Sequence, residues 1–234
     1  MKIIGFIPAR GGSKSIKLKN IVKVNKIPLI NYSISAALKS KIFSKIICSS
    51  DNNTILNQAS KFKISLHRRK KQFAKDDTNV LDVIINYINE TNENFDLLYL
   101  IQPTSIFVLP SHFKKIKKVM IENPKFLSAQ TIAETNHNFH PINSRYIFKN
   151  NVKFLNETKR LKKYNKQKKP KTYHFGNLVA VRKEGILDKK NFFAHPSGHV
   201  IINKPYDFDL DNEYDLKIAE LLIKNSIVKI DHLK

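Results

Sequence analysis

Ile3-Ile4-Gly5-Phe6-Ile7-Pro8-Ala9-Arg10-Gly11-Gly12-Ser13-Lys14 decides the fold, with Lys19-Asn20 five residues further on. The apolar run from Ile3 to Ile7 reads as a buried strand that stops at Pro8. A glycine pair follows, set among Arg10, Ser13, Lys14 and Lys19. Glycine lets backbone approach a ligand closely, and successive N–H groups in a turn can cradle phosphate oxygens. A strand feeding a basic glycine loop reads as a nucleoside triphosphate site. The spacing is neither that of the Walker loop nor of the dinucleotide fingerprint.

A second signal lies near the other end, in Asp207-Phe208-Asp209-Leu210-Asp211. In an extended segment this alternation points three carboxylates the same way. Such a cluster repels itself unless a cation sits among the acids. Mg²⁺ prefers oxygen ligands, with one or two carboxylates from protein and the shell completed by water and phosphate. Asp207, Asp209 and Asp211 are therefore candidate metal ligands, set against the reading of a solvated acidic edge.

Between these ends stand Ser49-Ser50-Asp51, Arg69, Asp76-Asp77-Thr78 and Gln102-Pro103-Thr104-Ser105. With the basic loop and Asp209-x-Asp211, and in this order, they resemble the acylneuraminate cytidylyltransferases. These are the CMP-sialic acid synthetases and their relatives acting on legionaminic and pseudaminic acids. The resemblance runs from Lys2 to about Leu222. It implies transfer of a cytidylyl group from CTP to the anomeric hydroxyl of a nine-carbon keto-sugar acid, with pyrophosphate released and Mg²⁺, or Mn²⁺ in its place, as cofactor.

The resemblance also assigns roles. Arg10, Lys19 and Asp211 would act in catalysis, the two cations on the departing phosphates. Asp209 and Asp211 would hold the metal, leaving Asp207 as a solvated edge. Ala9, Gly11, Ser13, Lys14 and Asn20 would complete the nucleotide loop with them. Arg69, Asp77 and Thr78 would close over cytosine and ribose, although Asp77 or Thr78 reads equally as a helix cap. Gln102, Thr104 and Ser105 would face the acceptor sugar, and so would Lys166, Gln167 and Tyr173. The chain departs from the family's usual pattern in four places: Lys70 follows Arg69, Ile106 follows Ser105, Lys166 stands for arginine, and Gly176-Asn177 inverts the usual Asn-Gly. The first loop fits the related CMP-Kdo synthetases less well.

At 234 residues one domain is expected, with 140–175 as an insertion for dimerisation or substrate cover. No apolar run is long enough for a membrane span and no signal-peptide pattern is present, so a cytoplasmic protein is expected. Cys48 is the only cysteine, which excludes an intramolecular disulfide. The formal charge of +23 raises nucleic acid as a partner and a basic binding protein as the rival class. The lysines are spread along the chain, with one dense run from Lys159 to Lys171, and this argues against that rival. The eight histidines show no metal-ligand spacing, and none of His67, His140 and His174 is given a role.

Periodicity predicts an α/β fold: a Rossmann-like, mostly parallel sheet with helices on both faces. The resemblance implies that the irregular excursion from this sheet is a small protruding dimerisation arm. Strands are expected at Ile3 to Ile7, Lys45 to Cys48, Lys63 to Leu66, Phe95 to Ile101 and Phe126 to Thr131. Helices are expected at Leu29 to Leu38, Thr54 to Phe62, Asp77 to Ile88, Ser111 to Met120 and Glu213 to Lys224. In the arm, Asn150-Asn151 reads as a turn between two short strands.

Overall fold

The computed structural model describes residues 1–163 and 165–233, without the Lys166 side chain. The first strand, β1 (Ile3–Pro8), is buried on both faces. Its alternating side chains divide the core: Ile3 and Ile7 join one apolar cluster, Ile4 and Phe6 another. A small β2–β3 pair (Lys23–Val24 and Ile27–Pro28) leads into helix α1 (Leu29–Ser40), which starts immediately after Pro28. Strand β4 (Lys45–Ser50), helix α2 (Asn53–Ala59) and strand β5 (Ser65–Arg68) follow.

Helix α3 (Val80–Thr91) then carries the chain across to strand β6 (Leu97–Leu100). Helix α4 (Pro110–Glu122) and strand β7 (Ser128–Glu134) come next. The arm holds a hairpin, β8 (Arg145–Phe148) with β9 (Asn151–Phe154), and a short helix α5 (Glu157–Lys162). The chain closes with β10 (Tyr173–Arg182), α6 (Lys183–Leu187), β11 (Ser197–Ile201) and α7 (Glu213–Lys224).

The seven-stranded sheet runs β11-β7-β10-β6-β1-β4-β5. All neighbours are parallel except β10, which is antiparallel to both β6 and β7. Helices α1, α2 and α4 cover one face, and α3 with α6 covers the other. A third cluster joins α7 to β2, α1 and the Ile106-Phe107 segment. From β1 the chain first moves outward through β4 to β5, then returns to β6 on the other side of β1. That reversal opens a crevice beyond the carboxyl ends of β1 and β6, where α/β sheets bind ligands.

Several local expectations shift. Helix α3 begins three residues later than predicted, because Asn79 rather than Asp77 or Thr78 caps it, accepting from Leu81 N at 2.9 Å. Strand β5 moves two residues on, since it pairs with β4 from Ser65. The arm's turn is Lys149-Asn150, both at positive φ, as a two-residue hairpin turn requires. The acidic segment 207–211 has no ladder partner: Asp207 lies in a turn, which removes it from the alternation that a strand would have imposed.

Candidate active site

Loop 9–20 leaves β1 at the crevice. Pro8, Arg10, Gly12, Ser13, Lys19 and Asn20 form one wall of a cleft of about 200 Å³. The other wall comes from Leu100, Gln102, Pro103 and Thr104, at the end of β6. Asn20 is buried and donates from Nδ2 to the Arg10 carbonyl at 2.8 Å, which fixes the loop's return. Gly11 gives its N–H to Asp51 Oδ1 at 2.8 Å, and a Cβ there would stand 2.7 Å from Asn52 Cβ. At Gly12 the space a side chain would take is open. Ala9 is fully buried, with its N–H on the Ser49 carbonyl, so it belongs to the core rather than to the cleft wall.

Asp76 holds the basic loop from outside, pairing with Arg10 Nη1 at 2.6 Å and with Lys14 Nζ at 2.8 Å. These bonds, Lys14's first, keep its carboxyl below the usual range. Asp77 is exposed and does not line the adjoining chamber, whereas Thr78 does, with Arg10, Arg69 and Phe73. That chamber of about 260 Å³ shares Pro8, Arg10 and Val80 with the cleft. Arg69 is buried and bound to the Ser49 carbonyl through Nη2 at 2.9 Å. Burial pulls its guanidinium below its ordinary pKa.

The two ends of the chain meet at this cleft. Lys19 Nζ reaches Asp211 Oδ1 at 3.2 Å, and the Ser15 hydroxyl donates to the Asp211 carbonyl at 2.5 Å. Leu210 N donates to the Thr104 carbonyl at 3.0 Å, and Ser105 Oγ, itself buried, stands 3.5 Å from Asp209 Oδ1. Asp209 keeps solvent access but is crowded by these atoms. Its carboxyl is pushed above the usual range, first by loss of water, with the Asp211 charge adding to it against the bond from Thr104. Two carboxylates that repel each other, open to solvent beside a basic loop, fit a hard divalent cation. Among the described residues no group of three or more His, Cys, Asp or Glu side chains is arranged to hold a metal. Phosphate and water would have to complete the shell.

Asp207 stands apart from this pair. It binds His174 Nε2 at 2.9 Å and lies 3.7 Å from Lys204 Nζ. His174, given no role in the sequence, therefore has one as the partner of Asp207. The inverted pair has a structural cause as well. Strand β10 bulges between Phe175 and Val179, and Thr131 Oγ1 fills the bulge, accepting from Asn177 N at 2.8 Å and Leu178 N at 2.9 Å. A Cβ on Gly176 would approach Thr131 Oγ1 to 2.7 Å. The Asn177 side chain is buried and donates to the Tyr206 carbonyl at 2.7 Å and to His112 Nδ1 at 3.1 Å. It thereby ties the acidic segment to the sheet.

On the same sheet edge, beyond β10, a chamber of about 730 Å³ is lined by Gln167, Lys169, Lys171, His137, His140 and Lys204 among others. Tyr173 is exposed at the start of β10, paired in the ladder with Glu134. The side chain of Lys166 lies outside the described residues. Sequence reasoning missed Asp76 as the clasp of the basic loop, along with the role of Asn177. Only the opposite sign of Asp76 beside a cationic loop was there to be read.

A switch-point crevice walled by a basic loop and the Gln102–Thr104 turn, with a pair of acids close to both, is an arrangement suited to a nucleotide in an α/β protein. The pattern of the cytidylyltransferase family matches residues 4–226, and the chain belongs to that family. It is 30% identical over 231 residues to the pseudaminic acid cytidylyltransferase of Campylobacter jejuni, covering 96% of this chain and 97% of the relative. It is 29% identical over 232 residues to that organism's CMP-N,N'-diacetyllegionaminic acid synthase, covering 95% of each. Among solved structures, a CMP:2-keto-3-deoxy-manno-octonic acid synthetase in complex with CTP superposes with a TM-score of 0.73. It covers 97% of this chain at 12% identity, a likeness of fold.

Proposed function

We propose that this protein transfers CMP from CTP to the anomeric hydroxyl of a nonulosonic acid, a nine-carbon keto-sugar acid of the sialic type, releasing pyrophosphate. What carries this reading is the meeting of three distant loops at the switch point, joined by Lys19 to Asp211 at 3.2 Å and Leu210 N to Thr104 O at 3.0 Å. Attack is in line at the α-phosphorus, so the site contributes positioning and charge neutralisation. Arg10, Lys14 and Lys19 neutralise the leaving β,γ-phosphates, while Ser13 and Gly12 line their path. Arg69 and Thr78 line the adjoining chamber for the nucleoside. Gln102, with Thr104 and Ser105, orients the acceptor, and the lysines around Gln167 suit the sugar's carboxylate.

Asp209 and Asp211 would hold Mg²⁺. When bound, it supplies Lewis-acid charge beside the reacting phosphate and lowers the pKa of the sugar hydroxyl. Asp211 also stands ready to receive that hydroxyl's proton. Offering CTP and Mg²⁺ with N-acetylneuraminic, legionaminic, pseudaminic or Kdo acid, one at a time, tests the reading. Pyrophosphate release with a nine-carbon acid is expected, and release with Kdo alone would contradict it.

The same reading makes the protein a homodimer through the 140–175 arm. Ile147 is 79% exposed, Leu161 75% and Val152 69%, a density of bare apolar surface that calls for cover. A second copy presents the same surface. Ile147→Lys is expected to sediment as a monomer where the parent protein sediments as a dimer. A monomeric parent protein would refute the assignment.

A further inference from the structure

Behind the chamber that Arg69 lines, a chain of polar groups runs from buried Ser49 and His67 out to Glu90 at the surface. Ser49 on β4 is paired in register with His67 on β5, and Arg69 follows two residues later. Arg69 Nε donates to Ser49 Oγ at 3.3 Å, and Ser49 Oγ lies 2.9 Å from His67 Nδ1. His67 Nε2 lies 3.1 Å from Glu90 on α3, whose other oxygen is 2.6 Å from Lys70 Nζ. The order Ser-His-Glu is that of a hydrolytic triad, but Ser49 is fully buried and its hydroxyl already receives a guanidinium. No acyl or phosphoryl group reaches it.

The proton inventory gives the chain one direction. Arginine is only a donor, so the Ser49 hydroxyl accepts from Arg69 and passes its single proton to His67 Nδ1. His67 then carries its proton on Nε2 and donates to Glu90. Lys70 first, and His67 next, hold the Glu90 carboxyl down to about 2, so it is a constant acceptor at neutral pH. Two of the three guanidinium nitrogens of Arg69 are thus fixed by Ser49, through its carbonyl and its hydroxyl.

We infer that Ser49, His67 and Glu90 form a relay of positioning residues that holds the Arg69 guanidinium against the nucleotide, preorganising CTP binding without touching it. Arginine is rich in rotamers, and fixing it before the ligand arrives removes an entropic cost from binding. The relay rests on the reading of this chamber as the nucleoside's. Aromatic cover from Tyr87, whose ring centroid lies 4.9 Å from that of His67, keeps the relay dry and so strengthens its bonds.

Calorimetric titration with CTP and Mg²⁺, without acceptor sugar, tests it. Ser49→Ala and His67→Leu should each weaken CTP binding about tenfold, the loss expected for a hydrogen bond to a charged group. His67→Asn, which retains an acceptor at the Nδ1 position, should stay within about threefold of the parent protein. Glu90→Leu, at the solvent end where the fold is least at risk, should weaken binding about threefold.

The double-mutant cycle is decisive: Ser49→Ala on top of Arg69→Ala should cost nothing further. Full additivity would overturn the relay, because Ser49 would then act by some other route. So would parent-like binding by Ser49→Ala and His67→Leu beside an impaired Arg69→Ala. Parent-like binding by Arg69→Ala itself would instead refute the reading of the chamber, and the relay with it.

Discussion

Asp209 and Asp211 are two residues apart and chemically unequal. Asp211 lies open to solvent against Lys19, whereas Asp209 is crowded by the Gln102–Ser105 loop and its carboxyl is raised. In the proposed metal pair, Asp209 is therefore the carboxylate whose charge a cation would relieve most. Asp209→Asn keeps size and hydrogen bonding but removes that charge. Turnover at saturating Mg²⁺ should fall about a thousandfold, the scale of a lost charge contact in the transition state. Steady-state kinetics across a Mg²⁺ series checks this, and parent-like turnover would remove Asp209 from the metal site. The chemical types at this scale were legible in sequence. Their partners were not, because Asp76 reaches Arg10 across 66 residues and Asn177 reaches Tyr206, beside the acidic segment, across 29. Pattern reading carries no information about such distances.

At the scale of elements, buried polar groups join α4, β7, β10 and the acidic segment. His112, on the first turn of α4, is 4% exposed, and burial holds its imidazole near 4, well below its ordinary 6.5. The native state therefore leaves it neutral where the unfolded chain is protonated. Stability from this site is complete above pH about 6.5 and declines as the pH falls towards 4, by of order 3 kcal/mol in all. Urea melts between pH 7 and 4 should show the decline in the parent protein and lose much of it in His112→Gln. An unchanged pH slope in that variant would contradict the assignment.

Strands and long helices were legible here because Ile3 to Ile7 and Leu29 to Leu38 carry clean apolar periods. Helix α3 was misplaced at its start because three successive cap-formers, Asp77, Thr78 and Asn79, compete. Tertiary packing chose the last. The bulge at Gly176-Asn177 had a visible sign in the inverted pair, but its cause, the Thr131 hydroxyl, lies on another strand.

In the whole molecule, the strand order places the ends of β1 and β6 side by side, and this brings loops far apart in sequence to one cleft. The expectation of a mostly parallel sheet covered on both faces holds, with β10 as the single reversed strand. Among the described residues, no helix is long and apolar enough to cross a membrane. The formal charge of +23 belongs to the chain as a whole, while the cations of the basic loop, Arg10, Lys14 and Lys19, are paired with acids. A phosphate chain entering the cleft must compete with Asp76 for the first two.

Cytidylyl transfer differs from any other use of CTP in the fate of each phosphate. CTP labelled at the α- or the γ-phosphorus is incubated with the protein, Mg²⁺ and each nine-carbon acid, and the products are separated. The α-label is expected on the sugar and the γ-label in pyrophosphate. The γ-label on the sugar, or no label on any of the acids, would contradict it.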